Sequence, residues 1–150
     1  MRGVYTAATK IAGLNASKTL AYLTAPATKA VEIIAVTVTN ESNANNFQME
    51  IAIANITTLG TPSATAVTPT PHESGDQAAG STTKFNCTTE PTTYGTTITQ
   101  EGAASLVGYR HEPAPEERLI VTPNTSIGVR MITTPTTFDC DVRITFREIG

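Results

Sequence analysis

Two segments gather side chains able to do acid–base or metal chemistry. His72-Glu73-Ser74-Gly75-Asp76 places three metal-capable groups within five residues. His111-Glu112 is followed closely by Glu116-Glu117. A cation site needs ligands spaced so that they converge, and the first segment matches neither a zinc nor an EF-hand spacing. Pro71 before it and Gly75 within it mark an exposed polar turn instead. In the second segment, HEPAPEER, a general acid and base would need a cleft and shifted pKa values. Pro113 and Pro115 fix the backbone and keep it extended, so the sequence predicts a stiff, solvated connector. Contact with a partner subunit is its best functional use.

The remaining chemistry-bearing features are weaker. Gly75 to Thr82 (GDQAAGST) is faintly like a phosphate-binding loop, but it lacks the lysine after the second glycine and no helix is predicted to follow. Cys87 and Cys140 are too few for a disulfide framework or a four-thiolate metal site. They are read as bonded or free; Cys140 falls on the inward phase of a strand, which favours a buried, inert thiol. No Cys–His nucleophile signature and no Gly-x-Ser-x-Gly elbow occurs. Asn55-Ile56-Thr57 and Asn86-Cys87-Thr88 fit the glycosylation triplet, which chance alone produces among so many threonines. Four Tyr, four Phe and no Trp leave few rings for a sugar- or base-stacking platform. No residue is assigned a catalytic, cofactor-binding or metal-binding role, and no cofactor is expected.

The elements that must carry these groups are strands. The chain has 150 residues, enough for one domain that removes roughly 70% of its unfolded surface from water. Hydrophobic residues are 39% and charged residues 15%, below the usual figures of about 45–50% and 25%. Threonine, at 29 residues beside 19 alanines, fills the gap. It is β-branched, at home in strands and poor in helices. The net charge of −3 offers no basic footprint for nucleic acid or an anionic membrane surface. No apolar run approaches the roughly 20 residues that cross a bilayer, and Met1 to Thr6 shows no secretory h-region.

Residues 1–17 read as an extended N-terminal arm with a short strand near Val4 to Thr6, packed on its own domain or a neighbouring subunit. Thr19 to Thr24 is a short strand. Ala30 to Asn40 is apolar on both faces, with Ile34, Val36 and Val38 on one side and Val31, Ile33 and Ala35 on the other, as in a central strand. The turn cluster Glu41–Asn46 then predicts an antiparallel hairpin with Phe47 to Ile56, where Phe47, Met49, Ile51 and Ile53 alternate inward. Residues 57–104 read as long irregular loops with short strands near Thr65–Thr68, Lys84–Thr88 and Thr96–Thr99; Ala103 to Tyr109 is ambiguous. Arg118 to Thr122 and Ser126 to Thr134 are strands. Phe138 to Ile149 has the cleanest period of two: Phe138, Cys140, Val142, Ile144 and Phe146 inward, Asp139, Asp141, Arg143, Thr145 and Arg147 outward. The fold expected for residues 18–150 is a single all-β domain, an antiparallel sandwich or jelly roll.

Several strings resemble small β-rich structural proteins of tailed bacteriophages. They are Leu59-Gly60-Thr61-Pro62, Thr68-Pro69, His72 to Thr82, Pro115-Glu116-Glu117-Arg118, and the ending Asp141 to Gly150; the resemblance spans roughly residues 18–150. It implies a non-enzymatic virion component, foremost a capsid decoration (cement) protein on the outer surface of the phage head, assembled in the host cytoplasm. The implied partners are the major capsid protein and further copies of the chain, as a homo-oligomer with a trimer favoured, and neither nucleic acid nor membrane. A head fibre base, connector or tail subunit, and a glycan- or host-surface-binding module, are the alternatives. No functional residue is carried over from the resemblance.

Overall fold

Threonine, valine and isoleucine in alternation leave the backbone little choice but extended structure. The computed structural model describes residues 3–41 and 46–150. Among them run the strands β1 (Val4–Leu14), β2 (Lys18–Thr24), β3 (Ala30–Asn40), β4 (Gln48–Thr58), β5 (Ser63–Val67) and β6 (Thr70–Pro71). The second half supplies β7 (Thr82–Thr89), β8 (Thr93–Ala104), β9 (Tyr109–His111), β10 (Ile120–Val121), β11 (Ser126–Met131) and β12 (Phe138–Ile149), with one 3₁₀ turn at Pro115–Glu117. They form two antiparallel six-stranded sheets packed as a β-sandwich. Sheet A runs β10-β3-β12-β1-β6, with β9 also on β3; sheet B runs β5-β7-β2-β11-β4-β8.

The winding is that of a jelly roll, one long antiparallel hairpin rolled up on itself. β1 pairs with β12, β2 with β11, β3 with β10 and β9, and β4 with β8, and successive pairs fall in alternate sheets. The expected hairpin of Ala30–Asn40 with Phe47–Ile56 is therefore wrong. β3 lies in sheet A and β4 in sheet B. Alternation reports which face of a strand is buried, not which strand lies beside it. Most of the Glu41–Asn46 turn cluster lies outside the described residues.

The segment read as an arm is a full strand, β1, paired with β12 from Val4↔Arg147 to Leu14↔Phe138. Tyr5, Ala7, Ile11 and Leu14 enter the core. Of residues 57–104, read as mostly irregular, β5, β7 and the twelve-residue β8 are strands. β11 stops at Met131, short of Thr134.

β12 follows its expected period along its whole length: Phe138, Cys140, Val142, Ile144 and Phe146 are all buried. β3 departs from its expected phase. A bulge opposite Thr145 and Phe146 takes up Ile34, so Val31, Ile33, Val36 and Val38 all reach the core, while Ile34 does not. An extra residue in one strand reverses the side-chain phase beyond it. Facing β12 across the core, sheet B supplies Leu23, Met49, Ile51, Ile53, Phe85 and Val129. Tyr5 stacks on Phe146, and Phe47 meets Phe138 edge-on. A second small cluster of Tyr22, Ile56 and Cys87, with Tyr94 over it, covers part of the outer face of sheet B.

Candidate functional site

The sandwich scatters the residues that looked chemically promising. The His72–Asp76 segment follows β6 as a bend docked on the start of β1. Gly3 N donates to Asp76 Oδ2 at 3.0 Å, Tyr5 OH donates to Gln77 O at 3.1 Å, and His72 Nε2 lies 2.7 Å from Thr6 Oγ1. An open depression of about 470 Å³ lies beside it, lined by Tyr5 and residues Glu73 to Gln77. These bonds pin a loop to a strand. Among the described residues no three His, Cys, Asp or Glu side chains converge on a metal position.

His111 and Glu112 sit at the opposite edge of sheet A, with β3, β12 and β1 between them and His72. His111 pairs with Val36, and its Nε2 is turned into the protein. Glu112 is tied to Arg110 at 2.6 Å, and that hydrogen bond holds its carboxyl below the usual range. Glu116 and Glu117 lie exposed on the 3₁₀ turn. The structure brings neither pair into a shared cleft.

Both cysteines are free and buried. Cys140 lies in the core between the sheets, and Cys87 lies in the small cluster outside sheet B. Burial pushes their thiols up, to about 12 and about 11. Gly75 to Thr82 joins β6 to β7, strand to strand. Asn55 and Asn86 both stand on strands; Asn86 adopts a positive φ of 57° and accepts from Lys18 Nζ at 2.7 Å. Six of the eight aromatic rings are buried, and Phe47 and Tyr94 are half-buried.

What the sandwich does present is a charged pleat. On the outer face of sheet A, cross-strand register lines up Lys10–Asp141–Thr39 and, one row along, Ala8–Arg143–Thr37–Arg110. An open depression of about 560 Å³ runs over these rows, bounded by the Val107–Arg110 segment. Lys10 reaches Glu41 at 2.7 Å and Asp139 at 3.7 Å. Glu41 and Asp141 are hydrogen-bonded carboxyls; the bond holds Asp141 above and Glu41 below its ordinary value, and Lys10 adds to the lowering of Glu41. Further along, Glu32 meets Arg147 at 2.7 Å and Arg118 at 3.6 Å. Such a surface can bind through ion pairs and hydrogen bonds.

Two polar clamps carry no mark in the sequence. Glu148, with a side chain only 2% exposed, accepts from Ser81 N at 2.7 Å and Ser81 Oγ at 2.8 Å, and meets Lys29 at 3.1 Å. Burial alone would raise its pKa, but those partners together outweigh burial and lower it. On the outer face of sheet B, Glu90 takes the Thr19 N–H at 2.9 Å, and the Thr19 hydroxyl meets both Glu90 and the Tyr94 hydroxyl. Arg130 lies 4.0 Å from the centre of the Tyr94 ring. Partners this far apart in sequence leave no local signature. No helix among the described residues is long and apolar enough to cross a membrane. No family model matches the chain, and no curated protein or solved structure matches it.

Proposed function

We propose that this protein is a non-enzymatic virion component, a capsid decoration (cement) protein that adheres to the outer surface of an assembled phage head. The observation that carries this reading is the charged pleat. Five of the ten Lys and Arg residues, Lys10, Arg110, Arg118, Arg143 and Arg147, stand on or beside the outer face of sheet A among Glu32, Glu41, Glu112, Asp139 and Asp141. A mosaic of both signs on a rigid face suits recognition of another protein, because complementary charges fix register and exclude wrong partners. The partner is the major capsid protein, bound by a homo-oligomer of this chain. Binding the assembled shell and not its free subunits stabilises the shell by mass action, and many copies multiply a modest energy per site. The burial of the aromatic rings gives no support to a glycan-binding platform.

The test is sedimentation. Purified protein is mixed with heads that lack it and spun through a cushion. Co-sedimentation at micromolar concentration, weakened as salt rises, is the expected result. Protein that stays in the supernatant overturns the reading. Copy number then separates decoration, with hundreds per particle, from a connector or tail role with a single ring.

A further inference from the structure

A sheet edge exposes a row of unpaired backbone donors and acceptors, and proteins normally blunt such edges with short strands, lysine, proline or bulges. Most edges here follow that rule. Sheet A ends on one side in the two-residue β10 and three-residue β9, and on the other in the two-residue β6, which closes on Pro71. The stretch of β1 beyond β6 carries Lys10. Sheet B ends on one side in the five-residue β5.

β8 is the exception. It is a twelve-residue edge strand whose one partner is β4. Its residues Thr93 to Ala104 include no Lys, Arg or Pro, and Glu101 is their one charge. Its bulges lie toward its start, leaving Thr99 to Ala104 in unbroken register with Ile53 to Gln48. Of the five exposed large apolar residues among the described ones, Ile98 stands on the strand, and Leu106 and Val107, 57% and 84% exposed, stand in the turn after it.

We infer that the free edge of β8 is an interface for a second copy of this chain, which pairs antiparallel through its own β8 and joins two copies of sheet B into one twelve-stranded sheet. The strand's near-neutrality suits this occupant. In an antiparallel self-pairing, Glu101 faces its own copy in a single register, and in every other register it faces an uncharged residue. Threonine opposite threonine or a small residue packs without repulsion, and the apolar turn at Leu106 is carried to the start of the partner strand. An edge that pairs with itself is isologous and closes at two copies. The trimer expected from the sequence would need another contact. The inference does not depend on attachment to a phage head.

The experiment is light scattering on the purified full chain across micromolar to millimolar concentration. Wild type is expected at the mass of two 15.8 kDa chains. The Ile98→Lys/Gln100→Lys variant changes two exposed side chains, one already beside Glu50, and is expected at the mass of one chain with an unchanged circular dichroism spectrum. Ala66→Lys on the opposite edge is expected to leave two chains together. Hydrogen exchange provides a readout independent of any variant: β8 amides should gain protection as concentration rises. A wild-type mass of one or three chains, a two-chain mass that survives the double variant, or β8 amides indifferent to concentration would overturn the inference.

Discussion

Replacing Glu148 with alanine tests whether the buried clamp at the end of β12 holds the sandwich together. The carboxylate accepts two hydrogen bonds from Ser81, a residue 4% exposed, and one from Lys29, whose side chain is 40% exposed. A hydrogen bond to a charged group is worth about 1.5–3 kcal/mol, and a buried donor left without a partner costs about 1–3 kcal/mol. The half-exposed Lys29 pair adds less than about 1 kcal/mol. The bonds to Ser81 share one oxygen, so they do not add in full, and Glu148→Ala is expected to cost about 2–4 kcal/mol. Urea unfolding followed by circular dichroism measures it. The pH dependence supplies a second signature. The folded pKa of Glu148 is lowered, so its contribution is complete above the ordinary glutamate value of about 4.3. It drains away as pH falls through the lower folded value. The gap between wild type and Glu148→Ala should therefore be widest near neutral pH and narrow in acid. A cost under about 0.5 kcal/mol, the range of an ordinary surface change, would refute the clamp. So would a gap that widens in acid.

Two further outcomes follow from burial. Val142→Asp removes a side chain fully enclosed between Val38 and Thr9 and puts a carboxyl in its place. Loss of apolar burial worth about 1.5–3 kcal/mol together with an unpaired buried polar group gives more than about 4 kcal/mol. Its neighbour Arg143→Ala, on the exposed face, should stay within about 0.5 kcal/mol; thermal melts in the reverse order would show the faces of β12 to be misassigned. With thiols pushed up to about 11 and about 12, Cys87 and Cys140 should both resist a disulfide reagent at pH 8 and react once urea unfolds the chain. Rapid labelling of either in the folded protein would contradict its burial.

β12 was legible because it is half-buried along its length, so an inward apolar residue alternates with an outward polar one without interruption. β3 was legible as a central strand but not in its phase, since the bulge at Ile34 costs no special residue and leaves no mark. The false hairpin has a topological origin. Asn40 and Gln48 are close in sequence, and local pattern cannot tell a turn within a sheet from a crossing between sheets. Of β8, sequence shows only Thr96–Thr99, because an exposed edge strand lacks the alternation that burial imposes. The candidate site fared similarly. His72, His111 and the glutamates stood out by residue type, yet the register of β1, β12, β3 and β9 assembles the charged pleat from ordinary outward positions. Glu148 and Ser81 stand 67 residues apart, and nothing in either neighbourhood announces the other.

The rolled hairpin also constrains how the chain reaches its native state. Its strand pairs are nested: β4 with β8 is enclosed by β3 with β9 and β10, then by β2 with β11, and finally by β1 with β12. Each inner pairing, once made, shortens the effective loop that the next must close, so the entropic penalty falls stepwise from the inside outward. The chain is thus organised to zip from its middle, with the two ends coming together last. Contacts so distant in sequence place it among slow folders, and during that wait the long open rim of β8 is the earliest structure on display.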